Sequence, residues 1–280
     1  NTFILDINNL VKLIESKPTG HFSGVIVVDL AGYPANLEKL QTIAKKHGLW
    51  IIEDACHAPG GYFLDSKGKK QHCGNGKFAD LSIFSFHPVK HITSGEGGMI
   101  TTNDEGLYKK LLTLRTHGIT KDPKRLSENP GGWYYEMQEL GYNYRLTDIQ
   151  SALGLSQLKR ADVGLARRKE IAKKYREAFS GNPRITLPEE PEGHAYHLYV
   201  IRVPNRLELY NHLRVQGIFS QVHYIPMHLL PFYRKFGWKR GDFPHAEAYY
   251  DTCLSLPMFP SLTNEDQNFV IEKVLEGVRV

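Results

Sequence analysis

The sequence predicts an α/β fold: a large sheet, mostly parallel or mixed, with helices on both faces, followed by a smaller α+β domain. Three observations carry this reading. Short β-branched runs alternate with helix-periodic segments through the first half of the chain. The first of them, Gly24–Leu30, is a short, mostly apolar run of the kind expected of a buried strand. The chain has 280 residues, enough for one large domain or two modest ones, and 41% hydrophobic with 23% charged residues is the balance of a globular protein.

The elements follow in order. Gly24–Leu30 (GVIVVDL) reads as a buried strand, and Ala31-Gly32-Tyr33-Pro34 turns the chain. Asn36 is placed to cap a helix in which Leu37, Leu40, Ile43 and Ala44 recur at helical spacing as far as Gly48. Leu49–Asp54, Leu81–Phe86 and Met99–Thr102 read as further strands, and Asp104 opens a helix carrying Leu107, Leu111, Leu112 and Leu114. Ligands bind outside the carboxyl ends of strands in such sheets, which is where Asp54 and Ser85-Phe86 fall. Gly118–Tyr135, with Pro123, Pro130, Gly131 and Gly132, reads as a long surface excursion. Thr147–Leu158 and Ala161–Ser180 read as helices, the second leading out of the large domain. Beyond it the pattern predicts strands at Tyr196–Val203 and Phe219–Tyr224. Helices are predicted at Asn205–Gln216, Pro244–Cys253 and Asn264–Leu275. The chain divides into a large domain over 1–159 and a small one over 160–280.

Composition excludes several classes. The net charge of +5 is spread among acidic residues and forms no stripe of the kind nucleic acid needs. No apolar run approaches the ~20 residues of a membrane-spanning helix. Cys56, Cys73 and Cys253 are odd in number and far apart, which argues against a disulfide framework or a zinc site. The chain opens Asn1-Thr2-Phe3, with no Met and no basic-then-apolar leader. The expectation is a cytoplasmic protein whose sequence here starts after its natural initiation site.

Four segments could carry chemistry. In Ser85–Gly98 (SFHPVKHITSGEGG), Lys90 follows a strand and precedes Gly95, Gly97 and Gly98. A lysine in a partly dry pocket loses basicity and becomes a nucleophile toward carbonyls; the alternative is a surface lysine before a glycine turn. In Glu53-Asp54-Ala55-Cys56-His57, the strand-end Asp54 could pair with a protonated ring nitrogen, with His57 over the same ring. Alternatively Asp54 caps a turn and His57 is structural. Gly141-Tyr142-Asn143-Tyr144-Arg145 suits phosphate or carboxylate binding, or an aromatic contact with a neighbouring subunit. Gln221-Val222-His223-Tyr224-Ile225-Pro226-Met227-His228 could bind a metal, but no acid or cysteine stands at ligand spacing, so a substrate-contacting loop is the better reading.

An acid after a strand, then Ser-Phe-…-Lys-…-Gly-Glu-Gly-Gly, then Gly-Tyr-Asn-Tyr-Arg, in this order and spacing, resembles the pyridoxal-phosphate-dependent sugar aminotransferases of the DegT/StrS type. The resemblance runs from about Asp6 to the end of the chain. It implies the type I pyridoxal-phosphate-dependent transferase fold. It also implies transfer of an amino group from L-glutamate to a 4-keto-6-deoxy UDP-sugar, the reading best supported by His57, Trp133–Met137 and Gln221–Tyr224. By this resemblance Lys90 forms the internal aldimine with pyridoxal 5'-phosphate and shuttles protons. Asp54 keeps the pyridine nitrogen protonated. His57 contacts the ring or its 3'-oxygen, and Ser85 donates to the phosphate. Asn143 reaches the phosphate of the other subunit's cofactor, implying a homodimer with shared sites. Gln221, Val222, His223 and Tyr224 form the sugar-nucleotide loop. The resemblance also implies roughly a hundred further residues upstream. They would include a first strand and a phosphate-binding turn that nothing in Asn1–Gly24 matches, so the large domain is expected to be incomplete at its N-terminus. A sugar dehydratase of the same family is disfavoured, because another residue stands there at the position of Lys90. A non-catalytic homologue is disfavoured because a pure binder needs neither Lys90 nor Asp54.

Overall fold

The structure, a computed structural model, describes residues 2–279. It begins with α1 (Ile7–Glu15), β1 (Gly24–Val28) and a 3-10 turn at Leu30–Gly32, followed by α2 (Leu37–His47) and β2 (Trp50–Asp54). A hairpin, β3 (Tyr62–Leu64) and β4 (Lys70–His72), precedes β5 (Leu81–Ser85), β6 (Gly98–Thr101) and α3 (Glu105–Arg115). The short pair β7 (Ile119–Thr120) and β8 (Glu136–Met137) closes the base of the polar excursion. Two helices follow, α4 (Asp148–Leu158) and α5 (Ala161–Phe179). The C-terminal part comprises β9 (Tyr199–Arg202), α6 (Arg206–Val215), α7 (Pro231–Arg234), α8 (Pro244–Thr252), β10 (Cys253–Leu256) and α9 (Asn264–Gly277).

The main sheet is mixed, in the order β1-β2-β5-β6. β1, β2 and β5 are parallel neighbours and β6 runs antiparallel to β5. Asn36 caps α2 by accepting from the Lys39 N–H at 3.1 Å, and Gly48 ends it in the left-handed conformation at φ 67°. The apolar stripe of α2, Leu37, Leu40 and Ala44, packs on Val25, Val27 and Ile51. The opposite face of the sheet carries a different set of side chains. Ile26, Val28, Trp50 and Ile100 lie on that face and are exposed among the described residues.

A second core gathers Ile171, Tyr175 and Phe179 of α5 with Tyr199, Ile201, Leu209, Leu213, Leu254, Val270 and Val274. Two predicted strands change here. Tyr196–Val203 shortens to β9, because the guanidinium of Arg168 takes the carbonyls of Tyr196 and His197 at 3.1 and 3.2 Å. Phe219–Tyr224 is no strand: its ladder is one bridge, Gln221 to Ser255. The Tyr249 hydroxyl donates to the His223 carbonyl at 2.8 Å, occupying a ladder acceptor, and the His223 ring turns to the Ser255 hydroxyl, 2.8 Å from Nδ1. The predicted helix at Pro244–Cys253 ends at Thr252, and Cys253 begins β10 against β9.

Candidate active site

Alternation along β2 separates its two acids. Glu53 points into the core beside Val27 and Ser82, 1% exposed. It accepts from the Ser82 hydroxyl at 2.6 Å and the Gly74 N–H at 2.9 Å. Asp54 emerges on the other face, at the carboxyl end of the strand. Its Oδ1 accepts from the Cys56 N–H at 3.1 Å, which turns the chain and brings His57 back toward β1. There His57 Nδ1 accepts from the Ala31 N–H at 3.2 Å.

β5 delivers the lysine. Ser85 is its last residue, and its hydroxyl accepts from the His87 N–H at 3.3 Å. The loop then returns on itself through Lys90 N–H to His87 carbonyl at 2.9 Å, Ser94 N–H to Phe86 carbonyl at 3.0 Å and Phe86 N–H to Gly97 carbonyl at 2.9 Å. Gly97 sits at φ 148°, and a Cβ there would lie 2.7 Å from both the Leu146 side chain and the Ser94 hydroxyl, so the tight return needs glycine. Lys90 ends half-buried, within the electrostatic reach of Asp54, Cys56, His57 and His223.

Burial sets the protonation states. It lowers the pKa of Lys90, although Cys56 and Asp54 pull the other way. It lowers His57 to about 4, with the Lys90 cation adding to the effect, and it lowers His223 for the same two reasons. The Cys56 thiol is pushed up to about 12 by burial and by Asp54, which removes it as a nucleophile. Burial and the Asp54 charge raise Tyr224. The cluster thus holds one amine of reduced basicity, one carboxylate and neutral imidazoles. That donor set fits a carbonyl cofactor with a basic ring nitrogen: Lys90 toward the carbonyl, Asp54 toward the ring nitrogen, His57 alongside.

Asp54, His57, Lys90, His223 and Tyr224 lie close enough to influence one another's charge. Ser85 stands at the same sheet edge. Asn143 stands elsewhere. It bridges to Thr116, is exposed, and is flanked by Tyr142 and Tyr144, whose rings stack 4.9 Å apart. Gln221 is exposed on its bridge to Ser255, and Val222 packs into the second core rather than facing the cluster. Two histidines escaped sequence reasoning. His197 packs against His57 with the rings tilted by 34° and their centroids 4.2 Å apart, and His91 meets His197 edge-on at 5.5 Å. The position of His91 next to Lys90 was a usable signal; His197 lay hidden in a strand-like run.

A profile of the DegT/DnrJ/EryC1/StrS aminotransferase family matches residues 1–275. The spore coat polysaccharide biosynthesis protein SpsC of Bacillus subtilis is 38% identical over 279 residues, covering 96% of this chain and 70% of its own length. The UDP-4-amino-4,6-dideoxy-N-acetyl-β-L-altrosamine transaminase of Campylobacter jejuni is 37% identical over 277 residues, covering 93% of this chain and 69% of its own. Among solved structures, Helicobacter pylori PseC, an aminotransferase involved in the biosynthesis of pseudoaminic acid, superposes with a TM-score of 0.87 at 32% identity. That match covers 99% of this chain and 71% of PseC. The chain belongs to the DegT/DnrJ/EryC1/StrS family of sugar aminotransferases. It has their type I fold, and the cofactor of the family is pyridoxal 5'-phosphate.

Proposed function

We propose that this chain carries the catalytic centre of a cytoplasmic homodimeric aminotransferase. It would move the amino group of L-glutamate onto C4 of a 4-keto-6-deoxy UDP-sugar, giving UDP-4-amino-4,6-dideoxy-N-acetyl-β-L-altrosamine for pseudaminic acid. The observation that carries the reading is Lys90, half-buried and less basic than usual, beside Asp54 and His57 at the carboxyl edge of the sheet. When bound, pyridoxal phosphate supplies an electrophilic carbonyl and an electron-withdrawing ring.

The protein's part is positional and electrostatic. The Lys90 amine takes a proton from the donor's α-carbon and returns one to the acceptor carbon, which its lowered basicity favours near neutrality. The Asp54 carboxylate holds a proton on the ring nitrogen by accepting its hydrogen bond. His57 offers a neutral imidazole to the ring edge, and the Ser85 hydroxyl serves the phosphate. Gln221, Val222, His223 and Tyr224 form the loop that faces the sugar nucleotide, with His223 and Tyr224 bearing the contacts and Val222 anchoring it. Asn143 serves the site of the second subunit, and the chain divides near residue 160 into cofactor-binding and small domains.

The test is incubation of the purified protein with 4-keto UDP-sugars and L-glutamate, followed by identification of the product. A 4-amino UDP-sugar is expected; amination of none of them would overturn the reading. A second reading is a sugar aminotransferase of different substrate or ring position. The 38% identity with SpsC, a spore coat polysaccharide protein, favours it as much as 37% favours the first. It predicts a product aminated elsewhere. For the shared site, Lys90→Ala and Asn143→Asp proteins, each inactive, should recover activity when their subunits exchange, up to about half per heterodimer. No recovery in verified heterodimers would assign Asn143 to its own subunit or to none.

A further inference from the structure

His57 is held by more than the strand that delivers it. Ala31 adopts φ 61° and ψ 0°, a left-handed conformation that strains a non-glycine residue. That turn aims the Ala31 N–H at His57 Nδ1, 3.2 Å away, and its carbonyl accepts from the His197 N–H at 2.9 Å. One residue thus ties the backbone of His197 to the ring of His57. The Arg168 guanidinium fixes the other side of His197 through its carbonyl at 3.2 Å. The ring of His197 lies at 34° to that of His57 with centroids 4.2 Å apart, and the Tyr224 ring lies at 28° with centroids 6.4 Å apart. His91 stands edge-on to His197, 5.5 Å away at 77°.

We propose that His197 is a positioning residue for the transamination reaction, its ring face and the Ala31 turn together fixing the plane and tautomer of His57. This rests on the reading of His57 and Lys90 as parts of the active centre. A neutral imidazole whose Nδ1 accepts a hydrogen bond carries its proton on Nε2. His57 therefore presents an N–H donor from a fixed ring plane to whatever lies beside Lys90. Two features indicate that His197 works through its ring face. Its buried Nδ1 has no hydrogen-bond partner among the described residues, so that nitrogen contributes nothing to binding. Its ring contacts with His57 and His91 account for its close packing. The column also joins parts far apart in the chain. His57 and His91 come from the sheet domain, whereas His197 and Tyr224 come from segments next to the second core.

The experiment compares wild type, His197→Phe and His197→Leu in the full protein without added cofactor, by two-dimensional NMR of 15N-labelled histidines. A His57→Gln variant assigns the His57 signals. Wild type and His197→Phe should show His57 as a single Nε2–H tautomer. In His197→Leu the unsupported His57 ring should tilt away from the Ala31 N–H, and with that hydrogen bond lost the two tautomers should mix. With cofactor loaded, His197→Leu should lose about tenfold in kcat with the KM for donor changed less than about twofold, and His197→Phe should keep kcat within about threefold. An unchanged His57 tautomer in His197→Leu would overturn the proposal. So would an equal loss in both variants, which would assign the role to a ring nitrogen. If His197→Leu fails to fold, His197→Met supplies a side chain of like bulk without a flat face. Absence of transamination in the wild type would refute the proposed function, while the NMR comparison would still decide the role of His197.

Discussion

Glu53 and Asp54 are neighbours in sequence and opposites in role, because successive strand residues face opposite sides of the sheet. Asp54 reaches the candidate active site; Glu53 joins Asp29 and Cys73 in a buried cluster whose polar atoms lie within 4.8 Å of one another. Burial and the Glu53 charge push the Asp29 carboxyl well above its ordinary range. Its Oδ2 has no hydrogen-bond donor among the described residues, so a proton shared between Asp29 and Glu53 is the simplest way to satisfy both. Asp29→Asn replaces that proton with an amide N–H and keeps the Oδ1 acceptor for Ala35, 2.8 Å away. The variant should fold, and its stability relative to wild type should rise as pH rises, since the native acid must be held protonated against solution. Urea titrations at pH 6 and pH 8.5 check this; a relative stability that falls with pH would contradict it. Asp54→Asn should behave differently. Fold and cofactor binding should persist while turnover falls on the order of a thousandfold. Near-normal single-turnover rates would reduce Asp54 to a turn cap for Cys56.

At the scale of elements, capping chemistry was the most legible feature. Asn36 and Asp104 each cap the helix they were read to open, and of Thr147 and Asp148, either of which could start the next, Thr147 is the cap. Thr147 and Gln150 form a reciprocal capping box. Thr147→Ala should therefore cost about 1 kcal/mol, read as a shifted denaturation midpoint; no shift would mean that the α4 terminus is held by other contacts. The parallel strands were legible because their apolar runs need no partner to be recognised. The hairpin β3–β4 was not, since Lys70-Gln71-His72 has no strand composition and pairs only because Tyr62–Leu64 lies beside it. The strand assigned to Phe219–Tyr224 failed for the converse reason: its composition suits a strand, but side chains of Tyr249 and Ser255 claim its polar groups. In the site, residue type alone left Asp54, His57 and Lys90 open to structural readings, and it was the order and spacing of their motifs, through the family resemblance, that singled them out. His197 was not legible, because its role depends on a ring contact across 140 positions of sequence, which no local pattern encodes.

Across the whole molecule, buried imidazoles set the response to acid. Burial lowers His57 to about 4 and His91 and His194 to about 3, and it depresses His197 as well. Between pH 6.5 and 4 the unfolded chain binds protons at these positions and the native chain does not, so their contribution to stability is lost as pH falls. Asp29 and Glu53, raised by burial, act with the opposite sign and contribute stability that is lost as pH rises through their folded values. Four strongly depressed imidazoles, with His223 lowered in the same sense, outweigh two carboxyls. Stability should fall from pH 6.5 to pH 5 with a slope up to about 2–3 kcal/mol per pH unit; a midpoint that is flat or rises across that interval would contradict this balance. The measurement that tests the active-site assignment most directly is chemical. The purified protein is mixed with pyridoxal phosphate, reduced with borohydride, digested, and its modified peptide sequenced. The expected result is a pyridoxyl group on Nζ of Lys90, absent from the Lys90→Ala protein, which should also lack transaminase activity. Modification of another lysine with Lys90 untouched, or full activity in Lys90→Ala, would contradict the assignment.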